Sequence, residues 1–140
     1  MNEIKFVVFG TPQAQKRVKF SRFGNFVQVR DPSAADKHDF ASVAMHNAPD
    51  KLIERPIMIS LSFYFTRPKG HFGTGRNHDK LKSSAPVFHT KKPDIDNLEK
   101  FVLDSLNKVM WKDDAQVFSV IKSKAYTLQD ARTEIKIEQL

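Results

Sequence analysis

The sequence predicts an α+β fold: one small domain over residues 1–140, with a mixed β-sheet packed by two main helices. Three observations predict it. Stretches of two-residue and of 3.6-residue hydrophobic period follow one another in the order β, β-hairpin, α, β, α, β, β. The 140 residues suit one domain, and a domain of that size buries roughly two-thirds of the surface its unfolded chain exposes, so packing alone can hold it. There are no cysteines, which removes disulfides, thiolate zinc sites, CxxC redox chemistry and a cysteine nucleophile together.

Taken in order, residues 3–9 (Glu-Ile-Lys-Phe-Val-Val-Phe) read as a strand closed by Gly10 and Pro12. A basic loop follows. From Phe20 to Arg30, phenylalanine-containing flanks enclose Gly24-Asn25, two residues that tolerate positive φ, which predicts a hairpin. Asp31-Pro32 supplies a start signal for a helix over 33–48, where Ala35, Phe40, Val43 and Ala44 fall near helical spacing. Ile57, Ile59, Leu61, Phe63 and Phe65 share one parity of the cleanest alternating strand. Residues 67–92 show neither period and hold three of the five glycines, three histidines and seven bases, so a mobile basic loop is expected there. A second helix is expected over about 96–110, since Ile95, Leu98, Val102, Leu106 and Val109 form one face. Residues 115–126, rich in Val, Phe and Ile, and the alternating 133–138 complete the order as strands.

The formal charge is +7, and its distribution says more than its size. Residues 1–30 carry six bases against Glu3 alone, and residues 66–92 carry seven against Asp79 alone. Between Pro93 and Phe118 the sign reverses, with six acids against three lysines. Scattered charge on a solvated face does not produce so sharp an alternation; a polyanionic partner and an acidic reaction centre do. The longest apolar run is Phe6–Phe9, far short of the ~18 residues that span a bilayer, and the first residues lack a signal peptide's apolar segment. The expectation is a soluble, cytoplasmic protein with no membrane partner.

The chemistry concentrates in Lys92-Pro93-Asp94-Ile95-Asp96-Asn97-Leu98-Glu99-Lys100. Asp94 and Asp96 are two apart, so in an extended segment both carboxylates point to one side. Lys100 follows Asp96 by one helical turn. A capping box, with Asp96 as N-cap and Glu99 three positions on, explains those two acids without chemistry and leaves Asp94 unexplained. Asp113 and Asp114 follow the helix; acids in a turn are commonly ordinary loop residues, and the start of a helix need not lie near the start of the next strand. Carboxylates that converge repel one another unless a hard divalent cation joins them, and Mg²⁺ takes carboxylates together with water and phosphate oxygens. Acids for a metal, with bases around them, point to metal-dependent phosphodiester hydrolysis.

Other motifs fail. An EF-hand would need Asp or Asn and then Gly where Leu98 and Glu99 stand, and there is no HExxH, GxxxxGK[ST] or GxSxG. The five histidines lack ligand spacing and suit solvated or DNA-facing positions. Arg22-Phe23-Gly24-Asn25-Phe26-Val27 has a displaced likeness to the RNP1 signature, and a hairpin is the better reading.

The block Lys92-Pro93-Asp94-Ile95-Asp96-Asn97-Leu98 with Lys100, then Asp104-Ser105-Leu106-Asn107 and Asp113-Asp114-Ala115-Gln116-Val117, closely resembles the RusA family of Holliday junction resolvases. Gly10-Thr11-Pro12 and the basic Lys16-Arg17-Val18-Lys19 extend the likeness more weakly. The resemblance implies a RusA-like fold and a homodimeric Mg²⁺-dependent endonuclease, with Mn²⁺ as a substitute, that makes paired nicks in four-way DNA junctions. It implies Asp94, Asp96 and Asp114 as essential carboxylates, Lys100 as the essential lysine and Asp113 as a neighbouring metal-site acid. Lys16, Arg17, Lys19, Lys91 and Lys92 are the expected DNA contacts. Lys108 stands where family members often have glycine. A non-catalytic nucleic-acid-binding module, and a nuclease preferring flaps or forks, are the alternatives.

Overall fold

Alternation of Ile57, Ile59, Leu61, Phe63 and Phe65 with polar neighbours makes the central strand of a four-stranded sheet, and all five side chains are buried. The computed structural model describes residues 2–140. Its elements are β1 (Asn2–Phe9), β2 (Lys19–Phe23), β3 (Phe26–Arg30), α1 (Ala34–Ala44), β4 (Ile57–Thr66), α2 (Ile95–Leu106), β5 (Val117–Thr127) and β6 (Arg132–Gln139). The large sheet has the order β1-β6-β4-β5. β6 pairs antiparallel with both β1 and β4, whereas β4 and β5 run parallel, so the sheet is mixed as the sequence predicts.

Both helices lie on one face, which carries Phe6 and Val8 of β1 and Ile135 and Ile137 of β6 beside the β4 residues. α2 turns Leu98, Phe101, Val102 and Leu106 into that core, each fully buried and each stabilising by about 1.5–3 kcal/mol through removal from water. Phe40 of α1 meets Phe101 edge-on, with ring centroids 5.7 Å apart. The opposite sheet face presents Ser60, Ser62, Glu134 and Lys136, a polar set that suits water. Among the described residues no helix is long and apolar enough to cross a membrane.

Several boundaries shift for local reasons. α2 ends at Leu106, four residues earlier than its hydrophobic face suggests, because Lys108 turns into the left-handed region (φ 66°) and its N–H donates to the Trp111 carbonyl (2.9 Å). The hairpin turn uses positive φ at Gly24 alone (φ 59°) and not at Asn25, the pattern with glycine first that suits a two-residue hairpin loop. α1 starts after Ser33, whose buried hydroxyl accepts from the Lys16 N–H (2.9 Å) rather than capping its own helix. Residues 67–92 form two short 3-10 turns and then run beside β5, where Tyr126 N–H donates to the Val87 carbonyl (2.9 Å).

Candidate active site

Asp94 is the N-cap of α2, with extended backbone angles (φ −70°, ψ 145°), and its carbonyl accepts from the Leu98 N–H (3.2 Å). Its side chain makes no capping bond and stands half exposed, 3.5 Å from Lys92 Nζ. Asp96 lies exposed in the first turn, where the helix dipole favours negative charge. The capping box considered for Asp96 and Glu99 does not form. The cap falls two residues earlier, and Glu99 is instead drawn to Lys122 of β5 in an ion pair. Asp96 is also helical rather than extended, so the shared direction of the two carboxylates comes from the helix start and not from strand alternation.

Asp94 and Asp96 open on one groove of about 630 Å³, bordered by His89, Lys91, Lys92 and Lys124. Lys124 builds much of it. Its Nζ donates to the carbonyls of Lys91 and Pro93, 2.6 Å each, which ties the Asp94 segment to β5. His89 is buried, stacks on Phe65 at 4.0 Å between centroids, and donates its backbone N–H to the Lys124 carbonyl (3.1 Å). Burial, reinforced by the positive charges of Lys124 and Lys91, pushes the His89 imidazole below its usual range and leaves it neutral at pH 7. Across the helix start, the Gln15 N–H donates to the Asn97 carbonyl (2.9 Å). The loop bearing exposed Lys16 and Arg17 is thereby docked at the same end of α2 as the two carboxylates.

The second acidic block lies elsewhere. Trp111 is fully buried, and its indole N–H donates to Asp114 Oδ1 (2.8 Å). Asp113 caps the 3-10 turn Asp114–Gln116: Oδ1 accepts from the Ala115 N–H (2.9 Å), while Gln116 Oε1 accepts from the Asp113 N–H (2.8 Å). Burial raises the Asp114 pKa; the Trp111 bond opposes this, Asp104 and Asp113 add to it, and Lys108 opposes it. Asp104 lies in the last turn of α2 and Lys108 and Trp111 follow just after it, so this block sits by the C-terminal end of a helix of 12 residues, about 18 Å long. Among the described residues no three His, Asp or Glu side chains come together as a metal-binding group.

The family model described as Endodeoxyribonuclease RusA matches residues 10–138. The chain belongs to the RusA endodeoxyribonuclease family. It is 34% identical over 142 residues to the uncharacterized protein YqaN of Bacillus subtilis (strain 168), covering 100% of this chain and 99% of that protein. It is 23% identical over 139 residues to the crossover junction endodeoxyribonuclease rusA of Lactococcus phage r1t, covering 97% of this chain and 95% of the phage protein. The RusA match takes in every candidate residue from Lys16 to Asp114.

Within this RusA fold the predicted residues divide into two groups. Asp94, Asp96, Lys91 and Lys92 share the groove, the loop with Lys16 and Arg17 is tied beside it, and Lys100 is exposed one turn further along α2. Asp113 and Asp114 stand at the other end of the helix. Two exposed carboxylates on an open groove fit a divalent cation that completes its shell with water and phosphate oxygens. Asp113 and Asp114 each have one oxygen already engaged. His89, expected with the other histidines at a solvated or DNA-facing position, is instead buried in the groove wall against Phe65, and Lys124 is a groove residue that the sequence reading passed over. For Lys124 a signal existed: it shares a parity with Val120 and Tyr126, opposite the buried β4 residues, where a lysine is out of place.

Proposed function

We propose that the protein is a Mg²⁺-dependent endonuclease that resolves four-way DNA junctions by paired phosphodiester hydrolysis, serving DNA recombination and repair. The observation that carries the reading is the Asp94–Asp96 pair on a lysine-bordered groove, in a chain of the RusA family whose phage relative is named a crossover junction endodeoxyribonuclease. Asp94 and Asp96 would hold the metal, with Mn²⁺ as a substitute; when bound, it polarises the scissile phosphate and lowers the pKa of an attacking water. Lys91 and Lys92 hold flanking phosphates, with Lys16, Arg17 and Lys19 extending the positive track along the docked loop. Lys100 offsets charge that grows on the scissile phosphate. Neutral His89 and the bonded Lys124 keep the groove wall rigid. Asp114 stands apart in the single chain, so its place in the same metal set requires a second copy. A homodimer is also what paired nicks in a two-fold branched substrate require.

The test is cleavage of end-labelled four-way junction, flap, fork and linear duplex with Mg²⁺, Mn²⁺ or EDTA, by wild type and Asp94→Asn. Paired nicks confined to the junction are expected, lost in EDTA and reduced by at least ~100-fold in the variant. The variant should bind the junction as tightly as wild type or tighter, because a negative charge facing phosphate is gone. A folded protein that binds junctions and yields no product under any condition would make it a binding module. Preferred cutting of flaps or forks would replace the junction as substrate.

A further inference from the structure

The β2–β3 hairpin is explained neither by the core nor by the carboxylate groove. Every residue from Lys16 to Arg30 is exposed. Cross-strand pairing sets Phe20 opposite Val29 and Arg22 opposite Val27 on one face, while Phe23 and Phe26 face each other at the tip of the other. Phe20, Phe23 and Phe26 are 71%, 64% and 65% exposed. Single apolar residues on a surface need no explanation, but three phenylalanines and two valines on a ribbon whose two strands have five residues each do. They do not hold the ribbon to the body.

Its root, by contrast, is fixed. Gln15 Nε2 donates to Asp31 Oδ1 (2.8 Å) and the Lys16 N–H donates to Ser33 Oγ (2.9 Å), joining the two ends of the hairpin. The Gln15–Asn97 bond sets that root at the carboxylate end of α2. The strands of five residues each reach about 17 Å beyond it, close to five base steps of nucleic acid.

Charge decides what covers the apolar faces. Lys16, Arg17, Lys19, Arg22 and Arg30 lie on or beside the ribbon, and no acid occurs from Gly10 to Arg30. Two copies meeting through this ribbon would press like charges together. A polyanion that also offers flat apolar surfaces satisfies both features, and unstacked nucleobases are such surfaces. We propose that the β2–β3 hairpin is a nucleic-acid-binding arm whose phenylalanines stack on bases exposed at a branch point or in single strands, while its bases hold the flanking phosphates. The assignment rests on the reading of the protein as a nuclease of branched DNA and supplies what that reading lacks, a means of telling a branch from an uninterrupted duplex.

The experiment compares wild type with the triple variant Phe20→Ala/Phe23→Ala/Phe26→Ala, in EDTA so that cleavage plays no part. The probes are a single-stranded oligodeoxynucleotide and a four-way junction, each with 2-aminopurine at the strand centre or crossover, plus a blunt duplex. Because the three side chains are exposed, circular dichroism and thermal unfolding should match wild type. The variant should lose at least ~10-fold in affinity for the single strand and the junction, and its 2-aminopurine response. Duplex affinity should change by less than ~2-fold, sedimentation should give an unchanged mass, and Phe23→Trp/Phe26→Trp should keep the response. Unchanged junction binding would overturn the proposal, as would an equal loss on duplex. A drop in mass would assign the faces to a second copy instead. Wild type that cuts junctions while the variant binds them normally sinks the arm and spares the nuclease; stacking on single strands without cleavage of any substrate does the reverse.

Discussion

Lys108 is the only described non-glycine residue with positive φ, at 66°. Such a conformation brings Cβ against the following carbonyl and costs an L-residue roughly 1–2 kcal/mol. It is tolerated because the turn it makes closes α2 and seats Trp111. Lys108→Gly should therefore raise stability by up to about 1 kcal/mol, or about 3 °C in Tm, measured by thermal unfolding; an unchanged or lower Tm would show that the lysine's own contacts outweigh the strain. Two acidic residues show how far single positions are legible. Asp96-x-x-Glu99 and Asp113-x-x-Gln116 both have the spacing of a capping box, and only the second forms one. Nothing local separates them: Glu99 is claimed by Lys122, a residue 23 positions away.

The loop before α1 and the two helices are joined through the relay Asp31–Lys37–Asp104. Asp31 accepts from Lys37 Nζ (2.9 Å), the Ser33 N–H (2.9 Å) and Gln15 Nε2 (2.8 Å), and Lys37 also reaches Asp104 of α2 (3.1 Å). The Lys37 ammonium, then the Ser33 N–H and Gln15, hold the Asp31 carboxyl at about 2, below its model-peptide value of 3.8. A carboxyl depressed in the fold contributes stability that is complete above its unfolded pKa and is lost as pH falls through the folded one. Wild type should thus lose stability between about pH 4 and pH 2, and Asp31→Asn should be less stable at pH 7 and show a flatter decline over that window. Denaturant unfolding at stepped pH measures both, and a parallel decline in the two proteins would sink the assignment. At this scale the sequence was most readable. Strict alternation marked β4 and a broad apolar face marked α2, because each buries a continuous stripe against the core. Residues 67–92 carried no period because long-range bonds hold them, such as His89 to Lys124 and Val87 to Tyr126.

Over the whole molecule, the charge alternation along the chain becomes a juxtaposition in space, with the basic loop and Lys91–Lys92 gathered at the Asp94 end of α2. Binding to DNA should weaken steeply with salt, and Lys16→Ala/Arg17→Ala should make the log–log slope shallower by about 2 while leaving the choice between junction sequences unaltered. Titrations across a salt series check this; an unchanged slope would place those bases away from phosphate. What one-dimensional reading could not give was the separation of the two acidic blocks, since the helix between them is just long enough to keep them apart. The parallel pairing of β4 with β5 has one more implication. Neighbours that point the same way oblige the chain to travel back along the sheet between Thr66 and Val117, and Lys91, Lys92, Asp94, Asp96, Lys100, Asp113 and Asp114 all ride in that return. The strands fix its two ends, β5 also holds it at Val87, His89 and the Lys91 and Pro93 carbonyls, and α2 seats it in the core; where the chain is not held, lengthening it costs merely ~0.6 kcal/mol per doubling. Most of the reactive apparatus thus rides on one crossover, and length can change between relatives with least disturbance in its exposed residues 74–84, upstream of every carboxylate and lysine of the groove.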